Sequence, residues 1–155
     1  MSADPPPPQA TDRSAWVSIE NKTSHLFKFQ VLHQYTGEDV VYSEWKLLKP
    51  SEKVKILDKI HYRTGFLTTG VDNWKVHGLK MVETNFENSK GEVIGKIRYL
   101  GEPFRSGSGA LADWKVHSLR GEDDGKETKI KVFDAEVQWI SESGTSTASF
   151  FRSDE

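Results

Sequence analysis

An all-β fold, a sandwich or a barrel, is what this chain predicts. Short runs of alternating apolar and polar residues recur along it, and turn residues separate those runs at regular intervals. No segment sustains the apolar stripe of a helix; the one helix-permissive stretch, Ala110-Leu111-Ala112-Asp113, amounts to a single turn.

The strands follow in order. In Trp16-Val17-Ser18-Ile19-Glu20, Val17 and Ile19 share a face, and Asn21-Lys22-Thr23 is a turn. Phe27-Lys28-Phe29-Gln30-Val31 is the cleanest alternation, with Phe27, Phe29 and Val31 inward. Thr36 to Asp39 turns the chain into Val40-Val41-Tyr42, which continues through Trp45. Lys49-Pro50-Ser51-Glu52-Lys53 breaks that strand, and Val54 to Leu57 forms a short one. From Trp74 the apolar phase shifts: Trp74 and Val76 share one face, Leu79 and Met81 the other, so Gly78 between them marks a bulge. Asn88-Ser89-Lys90-Gly91 is a turn into a strand from Val93 to Leu100. A Gly-rich loop, Gly101 to Gly109, leads to a strand over Trp114 to Leu119. Glu122-Asp123-Asp124-Gly125 carries the Asp-Gly signature of a hairpin turn. Thr128 to Phe133 and Val137 to Ile140 close the set.

The chain has 155 residues, enough for one domain with tails. Residues 1–14 form a disordered Pro-rich tail, 15–141 the β-domain, and 142–155 a polar Ser/Thr-rich tail that contains Phe150 and Phe151. The tetraproline Pro5 to Pro8 favours polyproline II, as a solubilising tail or a ligand for a proline-recognition domain. A net charge of −2 gives no basic face for nucleic acid. With no cysteine, disulfides, thiolate nucleophiles and cysteine-bound metals are excluded. No signal peptide or membrane-length apolar run is visible, which makes the cytoplasm the expected location.

The chain's chemistry is sparse. Trp74-Lys75-Val76-His77-Gly78-Leu79 is echoed by Trp114-Lys115-Val116-His117-Ser118-Leu119. Two strands of one sheet system with Trp and Val inward and Lys and His outward explain the echo better than propeller blades, for which the chain is too short. Were the two strands neighbours in register, His77 and His117 could share a metal or serve a hydrolase, but no ligand spacing supports them. Glu122-Asp123-Asp124 lacks the spacing of a calcium loop. Thr64-Gly65 to Thr69-Gly70 fails the phosphate-loop pattern, because Val71-Asp72 follows instead of Lys-Ser/Thr. No Gly-x-Ser-x-Gly elbow occurs. The expectation is a non-enzyme with no cofactor and no metal.

The span from Ile60 through His61-Tyr62-Arg63-Thr64-Gly65-Phe66-Leu67-Thr68-Thr69-Gly70 to Asp72 and Trp74 is the most specific feature. Together with Trp16 to Thr23, the Lys49 to Lys53 turn and Leu119 to Gly125, it resembles the PUD domain family, named for proteins up-regulated in long-lived insulin-receptor-mutant nematodes and also found in fungi. That resemblance implies an aegerolysin-like antiparallel β-sandwich, a homodimer or a heterodimer with a paralogue, and no enzymatic activity. The wider aegerolysin group includes lipid binders, so a membrane-lipid surface is the alternative. Its candidate residues are Tyr62, Arg63, Phe66, Thr68, Thr69 and Trp74, beside a basic stretch of Lys46, Lys49, Lys53, Lys55, Lys59 and Arg63.

Overall fold

The computed structural model describes residues 10–65, 68–107 and 114–153. Eleven strands form one sheet in which β1 (Ala10–Asn21), β2 (Phe27–Tyr35), β3 (Val41–Tyr42), β4 (Lys46–Leu48), β5 (Lys53–Gly65) and β6 (Asp72–Glu87) come first. After them come β7 (Val93–Gly107), β8 (Lys115–Val116), a 3-10 turn at Gly121–Asp123, β9 (Glu127–Val132), β10 (Glu136–Ser141) and β11 (Gly144–Arg152). The strand order is β3-β2-β6-β7-β11-β10-β9-β1-β5, with β4 also on β2 and β8 also on β6. The two ends of that order come together: β2 and β5 approach each other, and the Tyr35 hydroxyl donates to the Arg63 carbonyl at 3.3 Å. The sheet is therefore nearly closed into a barrel-like wall. No helix among the described residues is long and apolar enough to cross a membrane.

Alternation explains why these strands pack. Val17, Ile19, Phe29, Val31, Ile60, Trp74, Val76, Ile130, Val132, Val137 and Trp139 are all fully buried in one apolar cluster. Each stands at every second position of its strand, so one face of the curled sheet fills the interior.

Several expectations are corrected. The sheet is mixed rather than antiparallel, because β1 runs parallel to β9, with Trp16 opposite Glu127 and Asn21 opposite Val132. Side-chain alternation is identical in parallel and antiparallel strands, so the sequence could not distinguish them. Ala10 to Ser14, placed in the N-terminal tail, begin β1 and pair with Gly65 to His61. Arg13 pins this segment through Thr64 Oγ1 at 2.6 Å and Asp124 at 3.2 Å. The expected C-terminal tail is strand β11, inserted between β10 and β7. Phe150 anchors it, 3% exposed, with ring centroids 5.3 Å from Phe104 and 5.8 Å from Phe27.

The expected loop at Gly101 is ladder as far as Gly107. The bulge lies there and not at Gly78: Lys80 faces Glu102 and Met81 faces Leu100, which leaves Gly101 as the extra residue. Gly78 is in register and serves contact instead, since a Cβ at this position would stand 2.9 Å from the Phe150 ring. Asp124-Gly125 does not close a hairpin either, because β8 pairs with β6 while β9 pairs with β1 and β10. The proline tract and the Ala110 to Asp113 turn lie outside the described residues.

Candidate interaction surface

The Thr/Gly-rich segment is structural. His61 to Gly65 finish β5, and Gly65 then adopts φ +112, a conformation open to glycine. Thr68 closes the turn by donating its hydroxyl and its amide to the Gly65 carbonyl. Gly70 lies against the Tyr35 ring, where a Cβ would come within 2.5 Å. The described part of the signature records a turn and a close approach.

The sequence-selected residues separate accordingly. Tyr62 is 1% exposed and Trp74 fully buried, which removes both from any lipid-facing surface. Each occupies an inward position of its strand and uses its polar atom to hold the 117–120 segment. The Tyr62 hydroxyl donates to the Arg120 carbonyl at 2.8 Å, and the Trp74 indole N–H to the His117 carbonyl at 2.9 Å. Burial pushes the Tyr62 phenol well above its usual range. Arg63 is half exposed and paired with Asp12 at 3.2 Å and Glu38 at 3.7 Å. Thr68 is half-buried in its turn, and Thr69 is exposed. Phe66 lies outside the described residues. The basic stretch is largely spoken for: Lys46 pairs with Glu44, Lys53 with Glu127 at 2.8 Å, and Lys55 covers the Trp16 ring at 4.8 Å.

The echoed strands are indeed neighbours, but antiparallel, with Asn73 opposite Val116 and Trp74 opposite Lys115. The His117 amide donates to the Asp72 carbonyl, so His117 lies level with residue 72, and 77 − 72 = 5 positions separate it from His77. At about 3.3 Å per residue this is roughly 16 Å, too far for a shared metal. The echo also inverts. Trp74 and Val76 are buried with Lys75 and His77 half-buried, whereas in the second copy His117 and Leu119 are buried and Val116 is 49% exposed. Lys75 lies over the Trp114 ring at 4.4 Å, tying the two copies together. Among the described residues, no group of three or more His, Cys, Asp or Glu could hold a metal.

Three buried polar clusters, centred on Asp72, Asp123 and His117, pin the 117–123 strap. Asp72 binds His33 Nε2 at 2.7 Å through one oxygen and accepts the Leu119 amide at 2.9 Å through the other. Asp123 accepts the amides of Arg120 at 2.7 Å and Ser143 at 3.0 Å. His117 lies between the hydroxyls of Ser146 (2.6 Å, at Nδ1) and Ser141 (2.8 Å, at Nε2). Burial holds its pKa below the usual histidine value, although Asp123 and Asp72 pull upward. A neutral imidazole donates to one hydroxyl and accepts from the other, joining β8, β10 and β11. Because both ring nitrogens are occupied by serines, no carboxylate orients it as a catalytic base.

The surface that strand-by-strand reasoning missed is the far half of the β6–β7 hairpin. β2 accompanies β6 only to Lys80, and β11 accompanies β7 only from Phe104. Beyond those points Met81–Glu87 and Val93–Leu100 pair with each other and with no other strand among the described residues. Residues opposite one another share a face. On one face lie the rows Val82–Tyr99, Thr84–Ile97 and Phe86–Gly95; on the other lie Glu83–Arg98 and Asn85–Lys96. Glu83 binds Arg98 at 2.9 Å and Lys96 at 3.2 Å, and the two cations hold its carboxyl below the usual range.

The apolar rows have no such partners. Tyr99 is 49%, Ile97 47% and Phe86 53% exposed, and Ile94, the bulged residue between Gly95 and Val93, is 59% exposed. Even positions of β6 face the core at Trp74, Val76 and Gly78, so the apolar face is the core side of the sheet carried past the end of the core. A groove of about 440 Å³ at the base of the ribbon, lined mostly by polar residues, is bordered by Leu26, Lys80, Met81, Val82, Glu83 and Arg98, and so by residues of both faces. The alternation of Val82, Thr84 and Phe86 with Glu83, Asn85 and Glu87 was a legible signal of an amphipathic hairpin. What covers its apolar side was not legible.

The comparisons fit this picture. No individual curated protein matches the chain. The profile of the PUD family, described as up-regulated in long-lived daf-2, matches residues 11–102 and 97–150. These spans cover nearly all of the strands, β11 included, so the chain belongs to the family of proteins up-regulated in long-lived daf-2.

Proposed function

We propose that this protein is a non-catalytic interaction module that works as a homodimer or as a heterodimer with a paralogue. The single observation that carries the proposal is the uncovered apolar face of the β6–β7 ribbon. Three large side chains about half exposed, Phe86, Ile97 and Tyr99, amount to on the order of 300 Å² of apolar surface, at the lower end of the ~300–600 Å² typical of a functional patch. The closest Ser–His contacts lie inside the wall with His117 6% exposed, an arrangement suited to holding strands together. The fold proposed along with this function is an aegerolysin-like sandwich, in which the nearly closed sheet is flattened into two facing layers around its core.

Sedimentation velocity at micromolar concentration, alone and with a paralogue, tests the proposal. A dimer in either sample is the expected result; a strict monomer in both overturns it. The lipid alternative loses two of its three aromatics, the buried Tyr62 and Trp74.

A further inference from the structure

We infer that the free edge of β7 in the ribbon is a strand-addition site for an extended segment of another protein, one with acidic residues at alternate positions and apolar residues between them. The inference goes beyond the dimer reading above. It concerns the side of the ribbon and not its apolar face, and it holds for a monomer or a dimer alike.

The backbone builds the site. The Ser153 amide donates to the Pro103 carbonyl at 2.8 Å, and Pro103 has no N–H to return, so the β11 ladder on β7 ends there. Past Pro103 the same edge of β7 has no described strand beside it. The Met81 amide donates to the Leu26 carbonyl at 2.9 Å, so Met81 turns its backbone groups away from β7. Backbone direction alternates along a strand, which makes Val82–Tyr99, Thr84–Ile97 and Phe86–Gly95 the bonded pairs of the ribbon. The amides and carbonyls of Lys96 and Arg98 therefore point out of the free edge, where neither main chain has a hydrogen-bond partner among the described residues. A third strand antiparallel to β7 would continue the line of β11 in the plane of the sheet, clear of the body.

Side-chain chemistry selects the occupant, because residues opposite one another in a ladder share a face. The side chains of Lys96 and Arg98 are 63% and 71% exposed and share the one carboxylate of Glu83. Two cations on one carboxylate leave a positive charge over, which acidic residues opposite them offset. Opposite Ile97 and Tyr99, about half exposed on the other face, apolar residues cover surface that now meets water. The β7 edge of another copy fits badly, since antiparallel pairing sets lysine and arginine against each other. A two-stranded ribbon is marginal by itself, so the added strand also steadies it.

The test uses the full chain and a fluorescent probe, acetyl-Thr-Val-Glu-Val-Glu-Val-Thr-amide. The probe binds saturably by anisotropy and slows hydrogen exchange at the amides of Lys96 and Arg98, while those of Ile97 and Tyr99, already in the ladder, change less. Replacing both Glu of the probe with Lys weakens binding about tenfold or more, and a chain carrying Lys96→Glu and Arg98→Glu reverses that preference. Methylating one Glu amide of the probe, which points at β7, costs about tenfold or more, whereas methylating the middle Val amide, which points away, costs less than about threefold. No saturable binding below about 1 mM, equal or reversed effects of the two methylations, or unchanged exchange at Lys96 and Arg98 overturns the inference. So does a wild type that grows with concentration into assemblies larger than a dimer which the probe does not disperse, because the β6 edge of another copy, with Glu83 and Glu87, then takes the place. None of these outcomes decides between monomer and dimer, so the dimer reading stands or falls separately by sedimentation.

Discussion

Replacing Phe150 with alanine should cost this protein a large share of its stability, although the residue stands five positions before residue 155. Its ring is 3% exposed, with centroids 5.3, 5.8 and 6.4 Å from Phe104, Phe27 and Phe29, and it lies over Gly78. β11 is held by ladders on both sides, so the backbone cannot collapse into the space left behind. Phe→Ala in such a site costs about 3–5 kcal/mol, against a total of roughly 5–15 kcal/mol for a domain. With a urea m-value of about 2 kcal/mol/M, the midpoint falls by about 1.5–2.5 M. The neighbour provides the control. Phe151 points the other way, is half-buried, and lies against the Arg105 guanidinium at 5.4 Å. Phe151→Ala should cost about 1 kcal/mol. Urea unfolding followed by tryptophan fluorescence measures both. A Phe150→Ala cost below about 1 kcal/mol, or equal costs for the two variants, would refute the claim that β11 is part of the core wall.

Two further predictions follow from the buried polar atoms. His117 has a folded pKa held below its unfolded value by burial, so the unfolded chain binds more protons; the associated stability is present above about pH 6.5 and is lost as pH falls below it, by at most ~1.4 kcal/mol per pH unit. Asp123, Asp72 and Lys115 are the charged groups acting on it, and His117→Gln should flatten the stability–pH slope between pH 5.5 and 7; identical slopes in the two proteins would refute the assignment. The tryptophans separate packing from hydrogen bonding: Trp74 Nε1 donates to the His117 carbonyl, while Trp139 Nε1 has no hydrogen-bond partner among the described residues. Both changes to Phe lose the same volume, so Trp74→Phe should cost about 1–3 kcal/mol more than Trp139→Phe in urea unfolding, and equal costs would contradict the role given to the indole of Trp74.

The strands were legible wherever local alternation is strong. Phe27 to Val31 and Trp74 to Val76 are buried at every second residue, as their pattern requires. Weak local pattern misled at the ends. Ser-Thr-Ala-Ser before Phe150 looks like a tail, and only the ladders to β10 and β7 make it a strand. Tyr62 and Trp74 could not be told from surface residues for a related reason. Tyr62 and Trp74 carry polar tips, which suit a surface as well as a core, and their partners, the carbonyls of Arg120 and His117, lie 58 and 43 residues away.

The sequence by itself determined the all-β class, the inward set of each strong strand and the family, because these depend on residue type and short-range periodicity. Only the tertiary structure decided which strands are neighbours, that β1 and β9 run parallel, and that the apolar rows of the β6–β7 ribbon outrun the core. Alternation sorts residues into two faces; whether a face meets the core, water or another chain is fixed by contacts between segments far apart in sequence.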